Sequence, residues 1–389
     1  MRILFCASPG VGHVEPMVPL LRALLRRGHA VGWAGASESH ARAQALGVKR
    51  CFAVGPSSAD TRAEYQRRWP QQADAVGPAI DPLVFPRRFG ALLAPAMLDP
   101  LVQVIEAWNP VLVVSELGVL AAPLACQLTG VPQVTHGFGM PPPADVLEQA
   151  ANAFAELWQS KTSGPPPPEA GLFSRLYLDI YPHGLQTKDR LRTARCQCLQ
   201  PYTARRRDGP TRPDALAGRL DEFNDWPLAY LTFGTVVNQS RALITAATAL
   251  SDLKVRLVVT VGSDGDPHVL NPVPLNVHVE RFFDQSALLP YCNFVVSHGG
   301  SGTFLAALAH SLPQLVLPQG ADQFINASAL ERSGAGMALR GDDISVDQIR
   351  DCVQRLLGDS AYRDQATRLA GEISAMPSAD EVAVRLECL

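Results

Sequence analysis

A chain of 389 residues with 47% hydrophobic and 18% charged side chains has a globular composition and enough length for two domains of ordinary size. Its formal net charge of −3 argues against a nucleic-acid binder, which relies on a broad basic face, and the run Arg205–Arg207 sits among polar residues and proline as a solvated loop. The longest apolar tract, Val111–Cys126, is interrupted by Ser115, Glu116 and Pro123, and the N-terminus turns into Gly and Pro too early for a secretory segment, so a soluble, cytoplasmic protein with no membrane insertion is expected.

In chain order, Ile3–Ala7 reads as a buried strand and Ser8–Gly12 as a turn. Met17, Leu20, Leu21, Leu24 and Leu25 have the spacing of one helix face, with Pro16 and Pro19 in its first turn and Gly28 where its C-terminus wants a left-handed residue. Strands at 30–35, 49–54, 111–114 and 133–135 alternate with helices at 37–46 and 120–129, which predicts parallel strands joined by right-handed crossovers. Segments 56–100 and 140–185, rich in Pro and broken by aromatic residues, read as irregular loops. Periodicity is lost from Gln200 to Trp226, and a linker over 206–226 separates a domain at 1–205 from one at 227–389. In the second domain, strands at 228–233, 255–261, 277–281, 294–297 and 315–318 alternate with helices at 240–251, 285–290, 301–311, 323–333 and 345–357. The fold class is α/β, two doubly wound parallel-sheet domains with ligands expected at strand C-terminal edges facing a central cleft, and a last helix that packs back on the first domain.

Three patterns carry chemistry. Gly10-Val11-Gly12 resembles a dinucleotide fingerprint but has Glu15 where the third glycine belongs; what it supplies is His13 at the tip of the first strand. His298-Gly299-Gly300-Ser301-Gly302-Thr303 joins a strand to a helix, and glycines, hydroxyls and free N–H groups at a helix start suit a diphosphate. No Lys-Ser or Lys-Thr follows the glycines, so this is not a nucleoside-triphosphate loop. After the strand at 315–318, Asp322 and Gln323 suit bidentate hydrogen bonds to vicinal sugar hydroxyls, although Asp322 could simply cap the next helix. Asp264-Gly265-Asp266 reads as a turn, the lone Cys196-x-Cys198 lacks a second pair for a closed metal site, and the eight cysteines are expected to be reduced. No metal is assigned.

Gly-His-Val-x-Pro at 12–16, Phe-Gly-Thr at 233–235, Ser-His-Gly-Gly-Ser-Gly-Thr at 297–303 and Pro-x-x-x-Asp-Gln-Phe-x-Asn-Ala at 318–327 together resemble the GT-B glycosyltransferases of the UDP-glycosyltransferase superfamily. The bacterial enzymes that decorate antibiotics are nearest in style. The resemblance implies an acceptor-binding first domain and a nucleotide-sugar-binding second one. It implies His13 as general base, with Glu116 as the acid that orients it and Ser115 as the rival. Gly12, Thr235, His298, Gly300, Ser301, Gly302 and Thr303 would hold the donor diphosphate, and Asp322 with Gln323 the transferred sugar. Phe282, Phe283 and Gln285 occupy the place of the base-binding segment, with Phe and Asp where plant members carry Trp and Pro.

The implied reaction is metal-independent and inverting. A sugar moves from a UDP- or dTDP-linked donor to a hydroxyl of a small hydrophobic acceptor, without a cofactor, in a monomer or homodimer. Two other functions use the same fold: a nucleotide-sugar epimerase, which would need acids around the sugar, and a silent sugar-nucleotide-binding subunit.

Overall fold

The computed structural model describes residues 1–72, 81–186, 195–202, 219–234, 241–262, 265–270, 272–341 and 344–389. The chain divides into two compact units, one comprising Met1–Tyr181, Thr187–Tyr202 and Met376–Leu389, the other Pro182–Gln186 and Thr203–Ala375.

The first unit opens with β1 (Arg2–Cys6), the one-turn helix α1 (Val11–Val14), α2 (Val18–Arg26), β2 (Ala30–Gly35), α3 (His40–Ala45) and β3 (Arg50–Ala53). Gly28 ends α2 as the pattern predicts: at φ +82° it lets its own N–H and that of His29 close on the carbonyls of Leu25 and Leu24. Next come α4 (Ser58–Arg68), α5 (Asp81–Phe85), a π-helical stretch at Pro86–Leu93 and α6 (Ala94–Trp108). The unit continues through β4 (Leu112–Glu116), α7 (Ala121–Thr129), β5 (Gln133–His136), α8 (Ala144–Asn152), α9 (Ala155–Lys161), β6 (Tyr177–Asp179) and β7 (Cys196–Cys198). All seven strands are parallel, in the order β3-β2-β1-β4-β5-β6-β7. Helices cover both faces, which is why β4 is buried along its whole length.

Two sequence expectations fail here. The supposedly irregular residues 56–100 are largely helical, and 140–185 contain α8, α9 and β6. Prolines hide the pattern: Phe85, Phe89, Leu92, Leu93, Met97, Leu98, Leu101 and Ile105 form one buried helical stripe, but Pro86, Pro95 and Pro100 interrupt it in the sequence. The helical run Leu83–Trp108 is long and apolar enough to cross a bilayer, and that buried stripe is part of the first unit's core. The helix Ala379–Leu386 belongs to this unit, where Asp380 meets Arg26 at 2.6 Å and Glu387 meets both Arg27 and His29 at 2.6 Å.

The second unit runs β8 (Leu228–Thr232), α10 (Arg241–Ser251), β9 (Arg256–Thr260), β10 (Val277–Glu280), α11 (Gln285–Leu288), β11 (Phe294–Ser297), α12 (Ser301–Ala309), β12 (Gln314–Val316), α13 (Gln323–Ser333), β13 (Gly336–Ala338), α14 (Val346–Gly358) and α15 (Ser360–Ala375). Its six parallel strands lie in the order β10-β9-β8-β11-β12-β13. In each sheet the strand order reverses at one place, between β1 and β4 in the first and between β8 and β11 in the second. Ligands of open α/β sheets bind beyond the strand C-termini at such a switch point.

Candidate active site

At the first switch point, β1 delivers the loop carrying His13 and β4 ends on Glu116. His13 Nδ1 lies 3.3 Å from Glu116 Oε1, a charge contact without the alignment of a full hydrogen bond. The Glu116 side chain is fully buried, while that of His13 keeps 14% of its surface exposed. Glu116 is held from behind: Oε1 accepts the Ser8 N–H at 2.9 Å and Oε2 the Gly118 N–H at 2.5 Å. Burial alone would raise its pKa, but His13 and the two N–H donors outweigh burial and hold the carboxyl below its ordinary value. The acid therefore stays ionised next to the imidazole. Gly118 is needed at its place, since a Cβ there would fall 2.8 Å from Phe89 and 3.1 Å from Glu116 Oε1. The imidazole is packed between Phe138, at 4.4 Å between ring centroids, and Phe89, at 5.5 Å. Gly12 is exposed with open space around its Cα. The rival orienting residue, Ser115, is buried and accepts a hydrogen bond from Gln133 instead.

At the second switch point, β11 runs into His298 and the glycine loop, and α12 begins at Ser301 with no side chain capping it. The His298 ring is fitted between two glycines: a Cβ on Gly234 would lie 2.9 Å from it and one on Gly300 2.5 Å. Burial pushes the His298 pKa down to about 4, against a small opposing pull from the Thr232 backbone, so the ring is neutral at pH 7 and serves as a hydrogen-bonding group rather than a cation. Gly302, in contrast, has nothing within 4 Å of where a Cβ would stand. The loop is tight against the protein on one side and open at the helix start. Thr235 lies outside the described residues.

Asp322 does not cap α13 with its side chain. Its Oδ2 accepts from Ser301 Oγ and, at 3.3 Å, from Asn326 Nδ2, which also reaches the Gly299 carbonyl at 2.8 Å. Gln323 uses its Oε1 to gather the N–H groups of Gln319 and Gly320, at 2.7 and 3.0 Å. Thr303 accepts from Gln285 at 3.0 Å, which ties the segment at 282–285 to the glycine loop. Of its two phenylalanines, Phe282 is 75% exposed and Phe283 packs against the core beside α11, so only Phe282 presents a free ring. Asp266 accepts the His268 N–H at 2.9 Å, the turn geometry expected there; Asp264 lies outside the described residues.

Sequence reasoning passed over Phe138 and His136, and took Phe89 only as one of several aromatic residues in an irregular segment expected to line the acceptor site. His136 sits beside Glu116 in the register of β4 and β5 and is fully buried, and burial lowers its pKa to about 4. The signal was available, since an acid and a histidine end neighbouring strands, but strand pairing is invisible until the sheet order is known.

Residues 245–389 match the family described as erythromycin biosynthesis protein CIII-like, C-terminal domain. The chain is 31% identical to the L-demethylnoviosyl transferase of Streptomyces niveus, across 98% of this chain and 97% of that protein. Among solved structures, the glycosyltransferase SsfS6 of Streptomyces sp. SF2575, complexed with thymidine diphosphate, is 26% identical with a TM-score of 0.77 over the full length of both chains. The spinosyn rhamnosyltransferase SpnG complexed with spinosyn aglycone is similar to the same degree, with 26% identity, a TM-score of 0.77 and full coverage of both chains.

Proposed function

This chain belongs to the GT-B glycosyltransferases of natural-product biosynthesis, and we propose that it transfers a sugar from a nucleoside-diphosphate donor to a hydroxyl of a small, largely hydrophobic acceptor with inversion and without a metal. The observation that carries the reading is the pair of switch-point sites: an imidazole backed by a buried, ionised carboxylate in one unit, and an uncapped helix start behind a glycine loop in the other. A hydroxyl is a poor nucleophile at neutral pH, and a histidine whose Nδ1 faces Glu116 can take the proton at Nε2 as the oxygen attacks the anomeric carbon. Glu116 stabilises the imidazolium that forms.

On the donor side, charge develops on the departing diphosphate. The N–H groups at the start of α12, Thr303 and neutral His298 meet that charge, so the reading needs no cation. Asp322 and Gln323 contact the transferred sugar, and Phe282 stacks on the base. A dTDP-linked donor is favoured over a UDP-linked one because SsfS6 was solved with thymidine diphosphate. The protein acts in the cytoplasm, with its cysteines unpaired.

The test is to incubate the enzyme with dTDP- and UDP-linked α-sugars and a panel of polycyclic phenols and macrolactones, with and without EDTA, and to assign the product anomers by NMR. β-Linked products formed equally well with EDTA are expected. Retained configuration, or a rate abolished by EDTA and restored by a divalent ion, refutes the mechanism.

A further inference from the structure

The wall beside His13 holds a cation with no hydrogen-bond or ion-pair partner among the described residues. Arg88 lies on the π-helical stretch, immediately before Phe89, and its guanidinium carbon stands 5.6 Å over the Phe89 ring. The same ring lies 5.5 Å from His13 and 4.7 Å from Phe85, so guanidinium and imidazole border one phenyl group. Arg88 Nε is shut off from solvent, and among the described residues Arg88 makes neither a hydrogen bond nor an ion pair. The two carboxylates whose fields reach it are engaged elsewhere: Glu116 with His13, Ser8 and Gly118, and Glu38 with Ser58, whose N–H it holds at 3.1 Å. Burial, reinforced by the like charge of Arg62, pulls the guanidinium below the ordinary arginine value, so folding leaves it under-compensated. The preceding residue repeats the pattern, with Arg87 stacked 5.2 Å over Trp69 and its Nη1 enclosed without a partner among the described residues. Around Glu116 itself, Ser8 Oγ and His136 Nε2 are likewise enclosed, with no hydrogen-bond partner among the described residues.

A half-buried guanidinium whose Nε is enclosed and unpaired is costly to a fold, and a ligand oxyanion would complete it. An aromatic wall with a guanidinium fork at its edge fits a flat acceptor that bears a delocalised oxyanion, because arginine matches a carboxylate in two parallel hydrogen bonds and stacks on π surfaces. We propose that Arg88 recognises the acceptor: its guanidinium pairs with an anionic oxygen group, a carboxylate or an ionised phenol or enol, set apart from the hydroxyl that His13 deprotonates. The enzyme's acceptors are then acidic aromatic hydroxy compounds. The inference rests on the transferase reading above, in that it names the substrate class of the same site.

Binding separates the two ideas, since it needs no turnover. Fluorescence titration of the full chain with 6-hydroxy-2-naphthoate and with its methyl ester is expected to give at least tenfold tighter binding of the acid, the scale of one charge-assisted hydrogen bond. Arg88→Met should bring the acid down to the affinity of the ester and leave the ester and thymidine diphosphate unchanged, while Arg88→Lys keeps part of the preference. Thermal unfolding of Arg88→Met should stay at or above the wild-type midpoint, because the change removes an unpaired charge. Equal binding of acid and ester by the wild type, or of neither, overturns the proposal. So does an Arg88→Met protein that loses ester or thymidine diphosphate to the same extent as acid. A wild type that selects the acid yet transfers no sugar from any donor would leave Arg88 its role and sink the transferase mechanism.

Discussion

Replacing Glu116 by Gln removes a charge and one of two acceptor oxygens, the one that holds the Gly118 N–H at 2.5 Å. Gln keeps one oxygen to accept a backbone N–H, as Oε1 now does from Ser8 at 2.9 Å, and it preserves the volume of a fully buried side chain. On the catalytic side, what disappears is the interaction with a positive imidazole at 3.3 Å. Two unit charges at that separation attract by about 5 kcal/mol at an effective dielectric constant near 20. With half to all of the imidazolium charge developed at the transition state, the loss is about 2.5–5 kcal/mol, or a fall in kcat of roughly a hundredfold to several thousandfold. Initial rates at saturating donor and acceptor measure this, with donor KM expected to hold steady because Glu116 has no part in the glycine loop. His13→Ala should fall at least as far, and the double variant no further than His13→Ala alone, since the two residues act as one unit. Glu116→Gln with kcat within threefold of wild type, or a double variant whose loss is the product of the single losses, would refute the dyad.

Three further expectations concern the second unit and the buried histidines. Gly302→Ala should fold with unchanged or slightly raised stability, because its Cβ enters open space at a helix start, yet it should weaken nucleotide binding at least tenfold in a displacement titration; unchanged binding would remove α12 from the donor site. Phe282→Ala should cost under about 0.5 kcal/mol in denaturant unfolding and about 1–3 kcal/mol in thymidine diphosphate affinity, whereas core-packed Phe283→Ala should do the reverse, and equal behaviour of the pair would count against stacking by Phe282. His136 and His298, each at about 4 in the folded protein against about 6.5 unfolded, bind fewer protons folded than unfolded. Their contribution is complete above about pH 6.5 and is lost as pH falls toward 4. Urea unfolding at pH 7 and pH 5 should therefore differ by about 2 kcal/mol in each unit; a flat profile across that range would mean that the rings are not buried neutral.

The parts of this protein legible in its sequence are those that depend on local order. Strands β1, β2, β4, β8 and β11 stood out as short apolar runs, and His13, His298 and the glycine loop stood out because a parallel strand must end in a loop at the ligand-binding edge. The contact between His13 and Glu116 was reachable only through family resemblance, since it joins strands β1 and β4 that are neighbours in the sheet but far apart in the chain. What stayed hidden was the wall. Phe89 and Arg88 come from a helical stretch whose periodicity is broken by prolines tolerated at helix starts and in a π-turn, and Phe138 from a loop with no pattern of its own.

Hydrogen-bond partners were hidden more deeply still. Asp322 and Gln323 read as a pair of groups facing the sugar, whereas the folded chain has Asp322 bonded to Ser301 and Asn326 and has Gln323 Oε1 closing its own loop. These bonds also bear on function. Ser301 sits at the start of α12, so the carboxylate of Asp322, through the Ser301 hydroxyl, stands at the helix end where a diphosphate would accept from backbone N–H groups. A donor that brings a phosphate to Ser301 and sugar hydroxyls to Asp322 would replace one internal hydrogen bond with two to the ligand. Nucleoside diphosphate alone supplies only the first. On the proposed donor site, binding of the whole nucleotide-sugar would be coupled to release of the Ser301–Asp322 contact, so that sugar and diphosphate recognition would not be independent. Asp322→Asn should consequently weaken the sugar nucleotide more than the free diphosphate, and equal weakening of the two would break that coupling.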